Sequence, residues 1–332
     1  LIFDEVEAVE ISAVILSKQR RLEKYNFSLA DMPNVQLVHD DAIHAVRVAG
    51  DDYSLILNTV TSPLFFSSSK LYTVDFLREV QRHLAPGGLY MTWLDSRVGE
   101  AGADIMVQSL TEVFEHCGLA QMSSSYLLLL CSNAPIVAHH PNAAADQPIL
   151  SAYFQGEHDI DPTGFAYQLL STNARSLRNP AGAPLNTLDL PVLEFEMTRS
   201  AKRSIKPLQQ RIEDGLDLKN LGQAFRHMQW SPAAMLLALN STTGSNRYHR
   251  AIEQQVKISQ HMLQAATAAQ QQGNCDQAVQ LLNDAMSMTG QEAYPNLALG
   301  RCHEIQGRHA QALAAYELAS PSAPDDQVAL VI

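Results

Sequence analysis

Between Tyr53 and Trp93 the apolar and polar positions follow a fixed order. Tyr53 to Leu57 is an apolar run that fits a strand buried on both faces. A polar loop comes next, then Thr73 to Leu84, where Phe76, Leu77, Val80 and Leu84 recur at helical spacing. Pro86-Gly87-Gly88 is expected to end that helix, since glycine accepts left-handed dihedrals and proline cannot continue a helix. Leu89 to Leu94 reads as the next strand, Ala103 to Glu115 as the next helix. Leu119 to Met122 and Tyr126 to Cys131 read as a closing hairpin. Upstream, Val6 to Ile11 predicts a strand and Ala13 to Tyr25 a helix. Val35 to His39 predicts a short strand that ends in Asp40-Asp41-Ala42, followed by a weak helix through Val48. The whole order predicts an α/β fold with a doubly wound, Rossmann-like sheet, which places ligands at the carboxyl ends of its strands.

The pattern changes beyond residue 207. Leu208 to Leu239 and Arg247 to Gln272 are helical by periodicity, broken at Ser231-Pro232 and by the polar run from Ser241 to Ser245. Gly273, Ala278, Leu282 and Ala285 then recur as Gly307, Ala312, Tyr316 and Ala319, each anchor 34 residues on. Small residues at Ala278/Ala312 and Ala285/Ala319 let paired helices approach, and Leu282/Tyr316 fill the space between them. This period and these positions resemble tetratricopeptide repeats, here at about 259–292 and 293–326. Asp325 to Ile332 could open a third unit. The resemblance implies a surface for a peptide or protein partner.

Composition narrows the function classes. Against 23 Lys+Arg stand 35 Asp+Glu, a net charge of −12 that argues against a nucleic-acid partner. No apolar run approaches the roughly 18 residues a membrane helix needs. Cys117, Cys131, Cys275 and Cys302 form no CxxC pair and are expected as buried thiols in a reducing compartment, with no metal bound.

Glu10 lies at the carboxyl end of the first strand, where an acid can accept hydrogen bonds from a ribose. In dinucleotide folds that acid follows a glycine-rich phosphate loop by about 20 residues. Only nine residues precede Glu10, so such a loop is not expected within this chain, and Leu1-Ile2-Phe3 would be the tail of the helix that follows it. The expectation is an N-terminally truncated fragment. Glu10 as a solvated strand-end acid is the equal alternative from this residue alone.

VEAVEIS, LVHDDA, YSLIL followed by SP, LYTVDFLREVQRHLAPGGLYMTW and YLLLLCSNAP, in that order, resemble the catalytic domain of spermidine synthases. They resemble more closely the spermidine synthase-like proteins often fused to membrane segments. PLNTLDLPVLEFEMTR, from Pro184 to Arg199, is similar to the NTDDxPxLEFxxPR segment of that group. The resemblance implies a transferase-like domain at 1–135, a linker and family segment at 136–206, and the helical region at 207–332. It implies an S-adenosylmethionine-transferase sheet that binds decarboxylated S-adenosylmethionine, or S-adenosylmethionine, and passes an aminopropyl group to an amine. Carried over by position, Glu10 would hold the ribose hydroxyls, and Asp41 with Ala42 beside it would contact the adenine. In that fold a further strand lies between the strands at Val6–Ile11 and Tyr53–Leu57. Its absence should leave those two strands paired abnormally or with exposed edges.

The amine half departs from the family pattern. Its two acids fall on Thr59 and Ser62 in the run Asn58-Thr59-Val60-Thr61-Ser62-Pro63. A diamine acceptor is a dication whose attacking nitrogen must be deprotonated. A positioned carboxylate contributes about 10²–10⁴-fold as general base, and a hydroxyl does not replace it unaided. Two readings follow: a transferase with an altered acceptor, or a catalytically silent platform that recruits a partner through its repeats. Ser67-Ser68-Ser69-Lys70 is expected as a solvated loop. His39, His44 and Trp93 are expected to be structural, His139-His140 to lie in a linker, and Glu157-His158-Asp159 with Asp161 to be solvated acids. Expected partners are a small-molecule amine, a protein or peptide, and a second copy of the chain. The expected location is cytoplasmic, on the inner-membrane face if membrane helices precede the chain.

Overall fold

Strand β1 (Val6–Glu10) runs parallel to β2 (Val35–His39), with Glu10 opposite His39 at the carboxyl ends. The structure, a computed structural model, describes residues 3–26, 28–50, 52–59, 67–122, 126–137, 168–199, 204–225, 235–236, 246–289 and 293–319. Ser62, His139, His140, Glu157 to Asp161, the breaks at Ser231-Pro232 and Ser241 to Ser245, and the third repeat expected at Asp325 to Ile332 lie outside these residues.

The stretch expected as one helix from Ala13 to Tyr25 is broken. It forms α1 (Ala13–Ser17), a 3-10 turn at Gln19–Leu22 and α2 (Glu23–Asn26). None of these segments buries a residue, so no packing offsets the cost of nucleating a longer helix. Phe3 is not helical, and Leu1 and Ile2 lie outside the described residues. After β2, α3 (Ala42–Val48) leads to β3 (Tyr53–Asn58). Among the described residues before Asn58, none is buried.

β3 opens a second sheet. A 3-10 turn at Ser68–Tyr72 precedes α4 (Val74–Arg82), which Thr73 caps by accepting from Phe76 N at 3.3 Å. Val74, Phe76, Leu77 and Val80 are its buried face. Strand β4 (Leu84–Asp95) is parallel to β3 and starts earlier than the sequence suggests. Pro86-Gly87-Gly88 is a bulge inside it, not the turn after a helix. The ladder slips between Tyr53 and Leu55, Gly87 has φ 76°, and a Cβ on Gly88 would lie 2.8 Å from Tyr53 O. Helix α5 (Gly99–Val113) then spans the core, beginning before the expected Ala103, with Ala103, Met106, Val107 and Leu110 buried.

The closing hairpin is present: β5 (His116–Gln121) and β6 (Tyr126–Ser132) are antiparallel, and β6 lies beside β4. Cys117 and Cys131 are opposite each other in this hairpin and form a disulfide, Cα atoms 4.1 Å apart. The expectation of four separate thiols is corrected there. Spacing along the chain does not reveal register, and register sets these two side chains together. Cys275 and Cys302 are free and buried. A further short strand, β7 (Leu169–Ser171), pairs with β5, giving the order β3-β4-β6-β5-β7. Three residues carry too little periodicity for sequence to detect it.

Helices α6 (Val192–Arg199), α7 (Lys206–Asp214) and α8 (Leu218–Ala224) follow. α6 and α7 pack on α5. One apolar core runs from Tyr72 to Ile252, so the start of α9 (Asn246–Gln271) shares it. α9 then pairs with α10 (Cys275–Thr289), and α11 (Ala293–Ile305) with α12 (His309–Ala319). The two pairs turn in the same way. Gly273 and Gly307 have φ 74° and 70°, and equivalent bonds run from Asn274 N to Ala269 O and from Arg308 N to His303 O. Among the described residues no helix is long and apolar enough to cross a membrane.

Candidate functional site

The carboxyl ends of β1 and β2 place the first group of predicted residues. Glu10 ends β1 half-buried, and its Oε1 accepts from Ser12 N at 2.8 Å. His39 Nε2 lies 3.1 Å from Ile11 O, tying the two strand ends together. Asp40 and Asp41 follow β2. Asp41 Oδ1 caps α3 by accepting from Ile43 N at 2.8 Å, so Ala42 is the first residue of that helix. Asp40 accepts from Asp41 N at 2.8 Å and from His44 Nδ1 at 2.7 Å. The His44 hydrogen bond, chiefly, holds the Asp40 carboxyl below its ordinary value. His39 and His44 are exposed and hold local structure, as their sequence context suggests. Glu10 and Asp41 thus stand at neighbouring strand ends, each with one carboxylate oxygen that accepts nothing among the described residues.

The ends of β3 and β4 are different in chemistry. Asn58 is buried, and its Nδ2 lies 3.3 Å from Tyr90 Oη. Burial pushes the Tyr90 hydroxyl up to about 12, so it is a neutral donor or acceptor at any working pH. Thr59, one of the two positions where acids are expected from the sequence resemblance, is exposed just beyond the strand. The carboxylate in this region lies at the end of β4: Asp95, fully buried, accepts from Arg97 Nε at 3.0 and 2.8 Å. Asp95 also caps the turn after β4 through Arg97 N at 2.8 Å. Arg97 reaches on to Tyr126 Oη at 3.2 Å. An ammonium arriving at Asp95 would therefore compete with an intramolecular guanidinium.

Over 89 residues the chain is similar to polyamine aminopropyltransferases. Two curated sequences from Shigella flexneri, one of serotype 5b (strain 8401), are each 32% identical to it over that length, 26% of this chain. The chain spans about a third of the length of these relatives (31%). No protein-family model matches the chain. A probable spermidine synthase from Corynebacterium glutamicum is a structural neighbour at TM-score 0.37 and 20% identity, covering 55% of this chain and 63% of its own. A spermidine synthase from Thermotoga maritima scores 0.34 at 15% identity, over 40% of this chain and 46% of its own. A spermidine synthase in complex with the transition-state analogue AdoDATO also scores 0.34 at 15%, over 40% and 47%.

Against that aminopropyltransferase similarity, Glu10, Asp41 and Ala42 come together at one set of strand ends and Thr59 falls at another. The sequence reading missed Asp95, because an acid before Ser-Arg looks like an ordinary strand-end cap. It also missed the role of Ser69. The serine run was expected to be solvated, yet Ser69 is fully buried and its hydroxyl donates to Glu194 Oε2 at 2.9 Å. Trp93 packs edge-on to Tyr126, ring centroids 5.9 Å apart, as expected of a packing residue. Among the described residues no group of three or more His, Cys, Asp or Glu could hold a metal ion.

Proposed function

We propose that the chain is a spermidine synthase-like protein that binds decarboxylated S-adenosylmethionine, or S-adenosylmethionine, at the ends of β1 and β2. Glu10 takes the ribose hydroxyls there, and Asp41 with Ala42 takes the adenine edge. The observation that carries this reading is the pair of half-committed carboxylates, Glu10 at the end of β1 and Asp41 just past the end of the adjacent parallel β2. The similarity to polyamine aminopropyltransferases over 89 residues supports it and points to polyamine biosynthesis. The acceptor is not an ordinary diamine. Thr59 stands at one family acid position, the other falls on Ser62, and Asp95 is already paired with Arg97. A general base is needed to free the attacking nitrogen of a dication, and a threonine hydroxyl does not serve.

Titration calorimetry with the decarboxylated and the ordinary sulfonium nucleoside tests this. Micromolar binding of either, lost in Glu10→Ala, is the expected result. Absence of binding by both overturns it. Aminopropyl transfer to putrescine by the wild-type chain would overturn the altered-acceptor half.

A second reading has its own support. With Asp95 neutralised and Asn58 and Thr59 uncharged, the same fold serves as a silent platform. The equivalent turns at Gly273 and Gly307, 34 residues apart, support tetratricopeptide-like hairpins that take a protein or peptide partner. Pro184 to Arg199 relates the chain to the membrane-fused subgroup, and we place it on the cytoplasmic side. Nucleoside binding without transfer to any amine favours this platform.

A further inference from the structure

We propose that Asn186 and Glu194 are positioning residues that hold the turn Ser67–Tyr72 in place beside the carboxyl end of β4. The proposal rests on reading the ends of β3 and β4 as the acceptor side of the transferase site, and it adds a role for a segment that lies far away in sequence.

Ser69 is 0% exposed, and its carbonyl and its hydroxyl are both answered from that segment. Asn186 Nδ2 donates to Ser69 O at 2.9 Å across 117 residues, and Ser69 Oγ donates to Glu194 Oε2 at 2.9 Å across 125. Asn186, also 0% exposed, makes three more bonds. Its backbone N donates to Ser109 Oγ of α5 at 3.0 Å, and its carbonyl accepts from Val74 N at the start of α4 at 2.8 Å. Its Oδ1 accepts from Leu193 N at 3.2 Å. One asparagine therefore joins α4, α5, α6 and the turn. Leu188 N adds a bond to Asp75 Oδ2 at 2.8 Å.

The turn is held from its other side by Tyr72, fully buried, whose hydroxyl lies 3.3 Å from Trp93 O near the end of β4. Ser67 enters the turn with φ 65°, a left-handed conformation that a serine keeps only where its surroundings fix it. The exposed Lys70 rides on this turn, and its carbonyl is taken by Thr73 Oγ at 2.7 Å. The turn contributes nothing to the sheet ladder. Besides Tyr72, side chains from the far segment hold it in place. A fully satisfied buried polar network fixes one geometry, and removing a member leaves a buried group unpaired. Asn186, in the loop before α6, and Glu194, within it, thus have a physical use beyond shaping their own segment.

Hydrogen exchange on the full chain tests the clamp. Glu194→Ala strands the Ser69 hydroxyl, and exchange at Lys70 and Thr73 is expected to rise about tenfold or more. Amides of β4 and β6 should stay at the wild-type rate. Glu194→Gln keeps an acceptor and should restore protection. Asn186→Ala should act in the same direction as Glu194→Ala. Unchanged exchange in the turn overturns the proposal, and so does an equal rise throughout the sheet, which would make the contact merely structural. Failure of the wild-type chain to bind either nucleoside would sink the transferase reading, and the exchange pattern would still decide the clamp.

Discussion

The Tyr53 hydroxyl donates to Glu7 Oε2 at 2.6 Å, joining the first strand of the five-stranded sheet to a strand of the separate β1-β2 pair. No backbone ladder runs between β1 and β3 among the described residues, so this side-chain bond links the two sheets across the break. Tyr53→Phe removes it. The bond is solvent-exposed, so the loss is about 1 kcal/mol or less. It should appear as faster amide exchange in Val6 to Glu10 with little change in the melting of the main core. Unchanged exchange in β1 would show that the pair carries no coupling.

A pH response is expected at the end of β2. The Asp40 carboxyl lies below its ordinary value of 3.8, first through the hydrogen bond from His44 and then through Asp41 N. The folded chain therefore holds this carboxylate more tightly ionised than the unfolded chain does. Its stabilisation is complete above about pH 3.8 and is lost as the pH falls through the lower folded value. Asp40→Asn should flatten that part of the stability curve, followed by thermal melts at a series of acid pH values. A variant with the wild-type slope would refute the assignment.

Asp104 and Arg211 tie α5 to α7 in the core. Their side chains are 4% and 18% exposed and form a direct ion pair, and Asn179 Nδ2 donates to the other Asp104 oxygen at 2.7 Å. Removing one member of a buried pair costs about 3–5 kcal/mol, because the other charge is left uncompensated. Arg211→Met should therefore lower the melting temperature by many degrees, while Asp104→Asn with Arg211→Met together should recover part of it. Denaturant melts of the wild-type chain and the two variants measure this. A double variant no better than Arg211→Met alone would mean that the pair does not act as a unit.

Gly300 is required by its neighbour. A Cβ at this position would sit inside the Tyr316 ring, which is held by its hydroxyl bond to Glu304 Oε2 at 3.0 Å. Alanine favours a helix over glycine by about 1 kcal/mol. Overpacking costs about 1–3 kcal/mol, and with the ring fixed we expect it to win. Gly300→Ala should destabilise the last two helices, and adding Tyr316→Leu should offset most of the effect in the same melt. A neutral or stabilising Gly300→Ala would show that the ring moves aside freely.

Much of the element order was legible from local pattern. The apolar runs at Tyr53–Leu57 and Tyr126–Cys131 and the amphipathic stretch at Thr73–Leu84 gave strands and a helix within a few residues of their observed limits. Glu10 and Asp41 could be placed at strand ends because Glu10 closes one strand and Asp41 lies just past another, each shortly before a helix. The Pro86-Gly87-Gly88 bulge was misread as a helix stop, since glycine with φ 76° suits both. The length of the helix after Ala13 was misjudged because periodicity says nothing of whether a partner face exists.

The sequence by itself determined which segments are strands and helices, and which acids stand at the first two strand ends. Periods of two and of about 3.6 come from backbone geometry and need only near neighbours. The tertiary structure alone decided that Cys117 meets Cys131, that Arg97 neutralises Asp95, and that Asn186 and Glu194 seize Ser69. These pairings depend on ladder register and on how helices dock, which are set by the sum of many distant contacts and leave no local period to read.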